Sequence, residues 1–421
     1  MKSSLEIRDP LHGPIAVNKE EMKVIDSAFV QRLRGIKQTG FAELAFPGAT
    51  HNRYSHSLGA FHLAGRAFDR IFDDFEFSDN EEKYRLRACL RMAALLHDIG
   101  HGPLSHAIEQ AMPSRKELNG KDGQATHEDY TEAIIRKSQL TDVLNSVYGE
   151  GFPASVISVI NGENECPEFF KAGKDRVSLF PIFSSLISGE LDVDRMDYLV
   201  RDSLYCGIPY GQFDRDWIFS NLLYQRIEDE IFLALDSRAI YALEDFLLSR
   251  YHMYLMVYLH HKSVVYDEML FQFLKDSGDQ ARLPSSVEEY LKVDDHWLMD
   301  RLRASKSPWA QKIILHKPYR MLLELHSEQN EEAKKYADEL EEKLKDDKIP
   351  YFRSSSTGLL SKYSLESTPK GKAFPIYIIY RDPRFTSAQS PGASFEALES
   401  ATPIFERYHR KKIIDRIFAD I

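Results

Sequence analysis

The segment Leu96-His97-Asp98-Ile99-Gly100-His101-Gly102-Pro103-Leu104-Ser105-His106 carries the strongest signal in this sequence. A lone His-Asp pair is expected about once by chance in a chain with 15 histidines, but three histidines beside two glycines in so short a stretch are not. A helix should begin near Asp79 and stop at Gly100, because glycine and proline do not extend a helix comfortably. His97 and Asp98 then lie at a helix end, where adjacent side chains can turn toward one metal ion.

Further helices are predicted on both sides of this segment from apolar residues that recur at three- and four-residue spacing. Thr126 with Asp129 resembles a capping box, and it places His127 in the first turn of a helix. The apolar pattern over 239–275 exceeds the usual length of a globular helix, so we expect a break within it. The remaining predicted helices cover residues 21–38, with an interruption near Ser27, residues 58–75 and residues 191–203.

The character of the chain changes after about residue 277. Charged helical patterns such as 330–345 alternate there with apolar and β-branched runs such as 374–380, while 354–358 and 386–394 are rich in Ser, Gly or Pro and predict exposed loops. We therefore expect a mainly α protein, with a catalytic core over 1–277 and a smaller α+β lobe over 278–421.

Charge and composition exclude several classes of partner. A net charge of -11 repels nucleic acid and anionic lipid, so a polyanionic ligand would need a local concentration of arginine and lysine. The cysteines at 89, 166 and 206 have no paired spacing, and no apolar run reaches the roughly 18 residues of a membrane span. We expect a cytoplasmic protein that binds neither membranes nor nucleic acid.

Two helical stripes could line a site. Asp194, Tyr198 and Asp202 lie four residues apart beside Arg195 and Arg201, and Arg250, Tyr254 and Tyr258 repeat the same spacing. Each stripe has an ordinary alternative, because charged helix faces are usually solvated and aromatic stripes are commonly part of a core.

The sequence also resembles a known family, the HD-domain deoxynucleoside triphosphate triphosphohydrolases, both the bacterial enzymes and the catalytic core of the vertebrate SAM and HD domain-containing protein. The resemblance runs in order through about the first 275 residues, and its final part, 241–260, is similar to the bacterial branch. The motifs that carry it are Arg8–Pro14, Gln31–Gln38, Phe46–Gly59, His97–His106 and Leu191–Asp202.

The resemblance implies a role for individual residues. The metal ligands would be His56, His97, Asp98 and Asp194. The residues that grip the triphosphate would be Arg53, Arg195 and Arg250, and those that hold the sugar would be Gln38, Tyr198, Asp202 and Tyr258. The catalytic residues would be His101, His106 and His127. Apart from the resemblance, Glu109 follows His106 at the next helical turn and could orient it or raise its pKa, although an ordinary surface glutamate is the alternative. Thr39 departs from the vertebrate pattern, which has a leucine beside the sugar, and so bears on sugar selectivity.

The implied fold is an HD-domain helical bundle, and the implied cofactor is a divalent ion of manganese, magnesium, iron, nickel or zinc. The implied reaction is hydrolysis of a dNTP to deoxynucleoside and triphosphate, with His106 as general acid at the leaving oxygen. One alternative is an HD phosphohydrolase for an alarmone, a cyclic nucleotide or a nucleoside monophosphate. Another is a nucleotide-sensing regulatory protein with little turnover.

The resemblance further implies a homo-oligomer, a tetramer or dimer, that a dNTP activates at a subunit interface. Asp26, Gln31 and Arg34 match the regulatory motif. In an acidic protein, a helix that bears Arg32, Arg34 and Lys37 is a plausible phosphate patch, and it is also compatible with an ordinary exposed basic face.

Overall fold

The structure is a computed structural model that describes residues 5–326, 331–358, 374–381, 393–404 and 412–421. It is mainly helical, with a smaller C-terminal α+β part, as the sequence predicts. The α-helices are α1 Lys19–Ile25, α2 Ala28–Arg32, α3 Arg53–Ile71, α4 Asn80–Leu96, α5 Arg115–Leu118, α6 His127–Lys137, α7 Gln139–Tyr148, α8 Phe152–Asn161, α9 Phe180–Ser188, α10 Val193–Cys206, α11 Arg215–Ser220, α12 Ile240–Met253, α13 His261–Ser277, α14 Val287–Tyr290, α15 Asp295–Ala304, α16 Pro308–Ile314, α17 Glu331–Asp346 and α18 Leu398–Ala401.

Short 3-10 helices and one π-helical turn connect these elements. The π-helical turn, Tyr254–Tyr258, separates α12 from α13 and accounts for the break that the length of the 239–275 pattern predicts. The 3-10 helices are Leu33–Gly35, Gly40–Leu44, Ser105–Ala111, Pro167–Phe170, Ser237–Ala239 and Gly278–Ala281.

The strands of the described residues form three sheets. The strands are β1 Leu5–Asp9, β2 Gly13–Val17, β3 Lys171–Ala172, β4 Val177–Ser178, β5 Leu222–Ile227, β6 Glu230–Asp236, β7 Arg320–His326, β8 Tyr351–Gly358, β9 Tyr377–Tyr380, β10 Ser394–Ala397 and β11 Lys412–Ala419. A hairpin pairs β1 with β2, a six-stranded sheet has the order β10-β9-β6-β4-β3 with β5 also paired to β6, and a three-stranded sheet has the order β7-β11-β8.

Helix caps explain several element starts. Asp79 accepts a hydrogen bond from the backbone N–H of Glu82 and so begins α4. Thr126 and Asp129 form both halves of a capping box at the start of α6, which stabilises a helix start by about 1 kcal/mol. Both starts agree with the sequence analysis. Helix α4, in contrast, ends at Leu96, one turn before the predicted stop at Gly100.

Gly100 has a packing role instead. A Cβ atom there would lie 2.1 Å from the carbonyl oxygen of His127 and 2.4 Å from the backbone nitrogen of Thr131, so only glycine allows α6 to approach this closely. The backbone then turns sharply, with Leu104 and Ser105 both in the left-handed region at φ 53° and 61°. Such conformations are uncommon for residues other than glycine and require support from neighbouring groups.

Residues far along the chain supply that support. The Tyr290 hydroxyl donates to the carbonyl oxygen of Gly100 over 2.8 Å, and Asp295 Oδ1 accepts from the N–H of Leu104 over 2.9 Å. The same Asp295 accepts from the N–H of Lys37 over 3.0 Å. These contacts join both sides of residue 277, where the sequence analysis places a domain boundary.

The main core surrounds α3, which packs against α4 and α10. Phe61 and Phe68 on α3 are fully buried, and each such side chain contributes about 1.5 to 3 kcal/mol of transfer free energy. A second, smaller core lies between α17 and the three-stranded sheet and contains Leu325, Ala337, Leu344, Ile417 and Ala419. In the part of the chain that the structure describes, every helix is too short or too polar to cross a bilayer.

One loop prediction is wrong. Residues 354–358 belong to β8, which pairs antiparallel with β11 from Tyr351 to Gly358. The serines suit a strand at the edge of this sheet, because backbone pairing holds the strand while polar side chains face outward. Of the other predicted loop, 386–394, residues 386–392 lie outside the described residues, and Ser394 begins β10.

Candidate metal centre and active site

Helix ends deliver the four predicted metal ligands to one place. His56 lies in the first turn of α3, where Asn52 caps the helix by accepting from the N–H of Ser55. His97 and Asp98 directly follow α4. Asp194 lies in the first turn of α10, capped by Asp192. At a helix end the backbone leaves helical geometry, so these side chains can converge.

The ligand atoms lie close enough to share an ion. Those of His56, His97 and Asp98 all lie within 4.8 Å of one another. Asp194 Oδ1 is 3.0 Å from His56 Nε2 and 3.4 Å from His97 Nε2. Two ligands about 2.1 Å from a zinc-like ion and at right angles around it are separated by about 3 Å, so these distances suit a shared metal.

The orientation of both imidazoles also fits a metal. His97 Nδ1 lies 2.8 Å from the carbonyl oxygen of Ala94, and His56 Nδ1 lies 2.9 Å from Asp197 Oδ2. Both contacts put the proton on Nδ1 and leave the Nε2 lone pair of each ring directed at the space between the four predicted ligands. Both Nε2 atoms are buried and make no hydrogen bond among the described residues. Two neutral imidazoles and two carboxylates are a donor set that first-row divalent metals accept.

The electrostatics of the centre favour a cation. Burial lowers the pKa of His56, but the carboxylates of Asp194 and Asp197 outweigh burial and raise that pKa to about 10. Burial raises the pKa of Asp194, whereas its contacts with His56 and His97 lower it below its usual range. The same negative field that favours a proton on His56 favours a divalent ion there.

Arg53 links the metal centre to the sharp turn after it. Its Nη1 atom contacts Asp98 Oδ2, and its Nε atom donates to Ser105 Oγ over 3.0 Å. Arg53 is buried, and together with His97 it lowers the pKa of Asp98 against the effect of burial. A guanidinium predicted to grip phosphate therefore lies directly at the metal centre.

A second histidine cluster adjoins the first. The rings of His101 and His127 stack with centroids 3.9 Å apart, and His127 Nδ1 lies 2.6 Å from Glu109 Oε1. Burial, Arg53 and His127 hold the pKa of His101 well below its usual range, so this imidazole is neutral at physiological pH. His101 Nε2 is 3.3 Å from Asp98 Oδ1, which joins the two clusters. The side chain of His106 lies outside the described part of the structure, so its predicted pairing with Glu109 stays a prediction.

The predicted sugar-binding residues form a continuous wall. Asp202 Oδ2 accepts from the Tyr258 hydroxyl over 2.7 Å, and Asp202 Oδ1 lies 2.6 Å from His51 Nε2. The Tyr198 ring lies near both His56 and Tyr258, with its centroid 6.3 Å from that of His56 and 6.1 Å from that of Tyr258. Tyr198 therefore connects the metal centre to Asp202.

Polar atoms near this wall are buried without a hydrogen bond among the described residues. They include Gln38 Oε1 and Thr39 Oγ1. The backbone N–H of Gln38 donates to the carbonyl oxygen of His51 over 3.0 Å, which attaches the Gln38–Thr39 segment to the side of the wall that holds Asp202.

The other two predicted phosphate-binding arginines are held by buried acids. Arg195 Nη1 contacts Asp192 Oδ2 and the carbonyl oxygen of Gly189, and Arg250 Nη1 donates to Glu190 Oε1 over 2.8 Å. Glu190 and Asp192 are almost fully buried. These pairs fix the two guanidinium groups beside Tyr198. Burial raises the pKa of Tyr198, and the two arginines oppose that rise only in part.

The predicted regulatory residues lie on one surface segment, which runs from the end of α1 through α2 to the 3-10 helix Leu33–Gly35 and is called the surface of α1 and α2 below. Gln31 Nε2 donates to the carbonyl oxygen of Ile25 over 2.8 Å, and Arg34 Nε donates to Gln31 Oε1 over 2.7 Å. The Arg34 guanidinium also lies 3.7 Å from the ring centroid of Tyr54. Asp26 is exposed and ends α1.

Arg32 does not belong to this surface, contrary to the proposed basic patch. It is buried, and it donates to the carbonyl oxygens of Val293 over 2.8 Å and His101 over 2.8 Å. Its guanidinium therefore fastens the backbone of the His97–His106 segment instead of offering a phosphate site. The spacing of basic residues alone gave no sign of this, because those carbonyl groups are distant in sequence.

Sequence reasoning assigns no role to several residues that support the site. Among them are His51, which contacts Asp202, Asp197, which contacts His56, and Glu190, which accepts from Arg250. A signal existed for Asp197, because it lies one helical turn after Asp194 and four residues before Arg201.

Comparison with known proteins agrees with this geometry. Residues 53–162 match the HD domain model, and residues 220–343 match the HD associated region. The chain is 37% identical over 255 residues to the uncharacterized protein YwfO of Bacillus subtilis, covering 60% of this chain and 51% of that protein. It is 33% identical over 318 residues to the deoxynucleoside triphosphate triphosphohydrolase SAMHD1 homolog of Dictyostelium discoideum, covering 74% and 57%.

A solved structure extends the likeness to nearly the whole chain. A hypothetical protein from Aquifex aeolicus superimposes with a TM-score of 0.74 and 27% identity, over 99% of this chain and 97% of that one. The two curated relatives above are longer, and the chain matches only about half of their length. From these matches and the histidine and aspartate cluster, we conclude that the chain carries an HD domain, and that it is similar to deoxynucleoside triphosphate triphosphohydrolases.

Proposed function

We propose that the protein hydrolyses deoxynucleoside triphosphates to deoxynucleoside and intact triphosphate, with a divalent metal held by His56, His97, Asp98 and Asp194. Two kinds of observation support this proposal. The relative from Dictyostelium discoideum carries the name of that activity, and the site combines a metal-binding donor set with arginines and a polar, aromatic wall.

The observation that carries the proposal is the set of three buried arginines around one metal centre. Arg53 contacts Asp98, Arg195 directly follows Asp194 in the chain, and Arg250 lies beside Tyr198. Each guanidinium is already paired with a carboxylate, but it has five N–H donors, so three such groups offer more donors than a monophosphate needs. A triphosphate with its α-phosphate at the metal would use all of them.

In the proposed reaction a water oxygen bonds to the α-phosphorus, and the bond from phosphorus to the 5' oxygen breaks. A divalent ion in this centre would supply Lewis-acid stabilisation of the negative charge on the phosphoryl oxygens. The arginines add to that stabilisation, since charge on these oxygens dominates the barrier to phosphoryl transfer. The leaving 5' oxygen takes a proton, for which His106 is the proposed general acid.

The histidines of the second cluster have a proposed supporting role. His101 is neutral and buried and contacts Asp98, while His127 stacks on it and has its own carboxylate partner, Glu109. A stacked pair with one carboxylate suits either a proton relay to the reacting water or a contact to a phosphate oxygen.

The wall of Tyr198, Asp202 and Tyr258 is the proposed sugar site. Asp202 would accept the 3'-hydroxyl, and the Tyr258 ring would pack against the 2' carbon. A 2'-hydroxyl buried there without a partner costs on the order of 1 to 3 kcal/mol, so the enzyme should prefer deoxyribonucleotides. Gln38 is proposed to read the 3'-hydroxyl together with Asp202.

Two alternatives use the same centre. An HD phosphohydrolase for an alarmone, a cyclic nucleotide or a monophosphate would need the same metal ligands but fewer arginines. A nucleotide-sensing protein with little turnover would not need the complete donor set, which is why we favour an enzyme.

The products decide between these functions. Purified protein would be incubated with each dNTP and Mn2+ or Mg2+, singly and in mixtures, and the products separated by chromatography. We expect nucleoside and intact triphosphate, and in water enriched in heavy oxygen the label should enter triphosphate and not the nucleoside. Nucleoside monophosphate with pyrophosphate, or stepwise release of orthophosphate, would contradict attack at the α-phosphorus.

Regulation by nucleotide is part of the proposal. Asp26, Gln31 and Arg34 match the family's regulatory motif, and they lie together on the surface of α1 and α2. We propose that a dNTP binds there between subunits of a homo-oligomer and favours the active assembly.

A further inference from the structure

Asp197 is the most highly connected carboxylate near the metal centre. It is fully buried, and its Oδ2 atom lies 2.9 Å from His56 Nδ1 while its Oδ1 atom lies 2.6 Å from His12 Nε2. Arg201 donates to both oxygens, from Nε over 2.8 Å and from Nη2 over 3.0 Å. With four short contacts on two oxygens, Asp197 has one orientation available to it.

The hairpin β1–β2 supplies the partners that hold Asp197. Asp9 ends β1, and its Oδ2 atom accepts from Arg201 Nη1 over 2.9 Å. Its Oδ1 atom accepts from the backbone N–H groups of Leu11 and His12, each over 2.9 Å. Asp9 therefore both anchors Arg201 and shapes the turn that presents His12. Asp9 and His12 lie almost 200 residues from α10 in sequence, so the hairpin is a remote support.

The packing on the other side of Asp197 leaves no room for a side chain. Gly59 on α3 faces Asp197, and a Cβ atom there would lie 1.9 Å from Asp197 Oδ1 and 2.5 Å from Arg201 Nη2. Real Cβ atoms do not approach other atoms so closely, so a side chain at position 59 would displace the carboxylate. Helices α3 and α10 are thus brought together around Asp197, with His56 one turn before Gly59.

We infer that Asp197 is a positioning residue of the metal centre, and that the hairpin β1–β2, through His12 and Asp9, holds it and is therefore part of that centre. The inference rests on the proposed metal site. Its physical basis is that the carboxylate fixes the proton of His56 on Nδ1 and so keeps Nε2 free to bind metal. Carboxylate partners of this kind orient the ring and increase its affinity for the ion.

The test measures metal binding by the full chain in the absence of nucleotide. Co2+ is titrated into wild type, Asp197→Asn, His12→Leu and His12→Gln, and its visible absorption reports both affinity and ligand geometry. His12→Gln keeps a donor near the position of Nε2, whereas His12→Leu keeps the bulk alone. Asp216→Asn removes an exposed carboxylate that pairs with Arg66, and serves as the matched control.

We expect Asp197→Asn to weaken Co2+ binding by about 10- to 100-fold and His12→Leu by roughly 10-fold, with altered absorption spectra. His12→Gln should stay within roughly threefold of wild type, and Asp216→Asn should match wild type. Melting temperatures without metal separate lost ligand geometry from general unfolding. If Asp197→Asn does not fold, the two His12 variants decide the question.

The inference and the proposed function fail in different ways. Wild type that binds Co2+, with Asp197→Asn and His12→Leu binding equally well and giving the same spectrum, would overturn the inference alone. Equal losses in His12→Leu and His12→Gln would also overturn it, because the donor that only His12→Gln keeps would then make no difference to metal binding. Wild type that binds neither Co2+ nor Mn2+ would overturn the metal centre and the inference with it.

Discussion

The metal centre and the surface of α1 and α2 differ in whether their polar groups already have partners. At the centre, the Nε2 atoms of His56 and His97 are buried without a hydrogen bond among the described residues. On the surface, Gln31 and Arg34 bond to each other and to backbone, with Arg34 exposed to solvent. Burying an unsatisfied polar atom costs about 1 to 3 kcal/mol, so the centre is built for a ligand, whereas the surface can exchange partners.

The largest effect should follow from removing a metal ligand. His97→Ala or Asp98→Asn should abolish bound metal and lower turnover by about a thousandfold or more, since the loss of the ion removes several kcal/mol of transition-state stabilisation. Metal content by mass spectrometry and initial rates on dNTPs measure this. His296→Ala, which alters an exposed histidine elsewhere, is the control. Full metal content and an unchanged rate in His97→Ala would show that His97 is not a metal ligand, and the contrast between the metal centre and the surface would then fail.

The second effect concerns the sugar. Wild type should prefer dGTP to GTP, and dATP to ATP, by about 10- to 100-fold in kcat/KM, as a penalty of 1 to 3 kcal/mol implies. Asp202→Ala should lose most of this activity, because Asp202 is the proposed acceptor for the 3'-hydroxyl and anchors Tyr258. Thr39 is the residue that could weaken the preference, since its buried hydroxyl could serve a 2'-hydroxyl. Equal rates for ribo and deoxy substrates would defeat the sugar model, even with the metal centre intact.

The third effect tests whether the α1–α2 surface is a regulatory site. Arg34→Ala should abolish nonlinear activation by dNTP. At activating concentrations its turnover rate should be about 5- to 150-fold below that of wild type, as typical coupling energies imply. Rates and oligomer mass across a nucleotide series would be compared with those of Arg303→Ala, which alters an exposed arginine on α15. Hyperbolic kinetics with unchanged mass, or an Arg34→Ala variant that behaves as wild type, would leave this surface without the proposed role.

The smallest predicted effect concerns the carboxylate of Asp267 and the dependence of protein stability on pH. Burial, with a smaller contribution from the charge of Glu268, raises the pKa of Asp267 on α13 to about 7. An acid whose pKa is raised in the folded state destabilises the fold progressively as pH rises from its ordinary value, near 4, to about 7. Asp267→Asn should therefore be more stable than wild type above pH 7, by on the order of 2 kcal/mol, and equal to it near pH 4.

Chemical unfolding over a pH series measures this last effect. Asp300→Asn, an exposed carboxylate paired with Arg303, should show no such pH dependence. A pH-independent difference between Asp267→Asn and wild type would show that the carboxylate is ionised without cost.

Local signals explain most of what the sequence predicted. The cap at Asp79, the capping box at Thr126 and the break before His261 all depend on residues within a few positions of one another. The set of metal ligands was implied by the family resemblance, and these residues come together because each stands at or directly after a helix end.

What could not be predicted depends on distant partners. The serines of β8 become a strand only because β11 pairs with them, and Arg32 becomes buried only because Val293 and His101 supply its acceptors. Asp197 is similar, since its partner His12 lies 185 residues away. Periodicity and spacing carry no information on such contacts, which tertiary packing creates.

The sharp turn between Gly100 and Leu104 has a consequence for anyone who designs a minimal fragment of this protein. Three side chains fasten that turn, and two of them, Tyr290 and Asp295, come from beyond residue 277. A fragment cut at 277 would keep every proposed metal ligand, yet it would lose the hydrogen bonds that hold the backbone of Gly100 and Leu104. A useful fragment would have to extend at least through α15, so the sequence boundary is a poor place to cut.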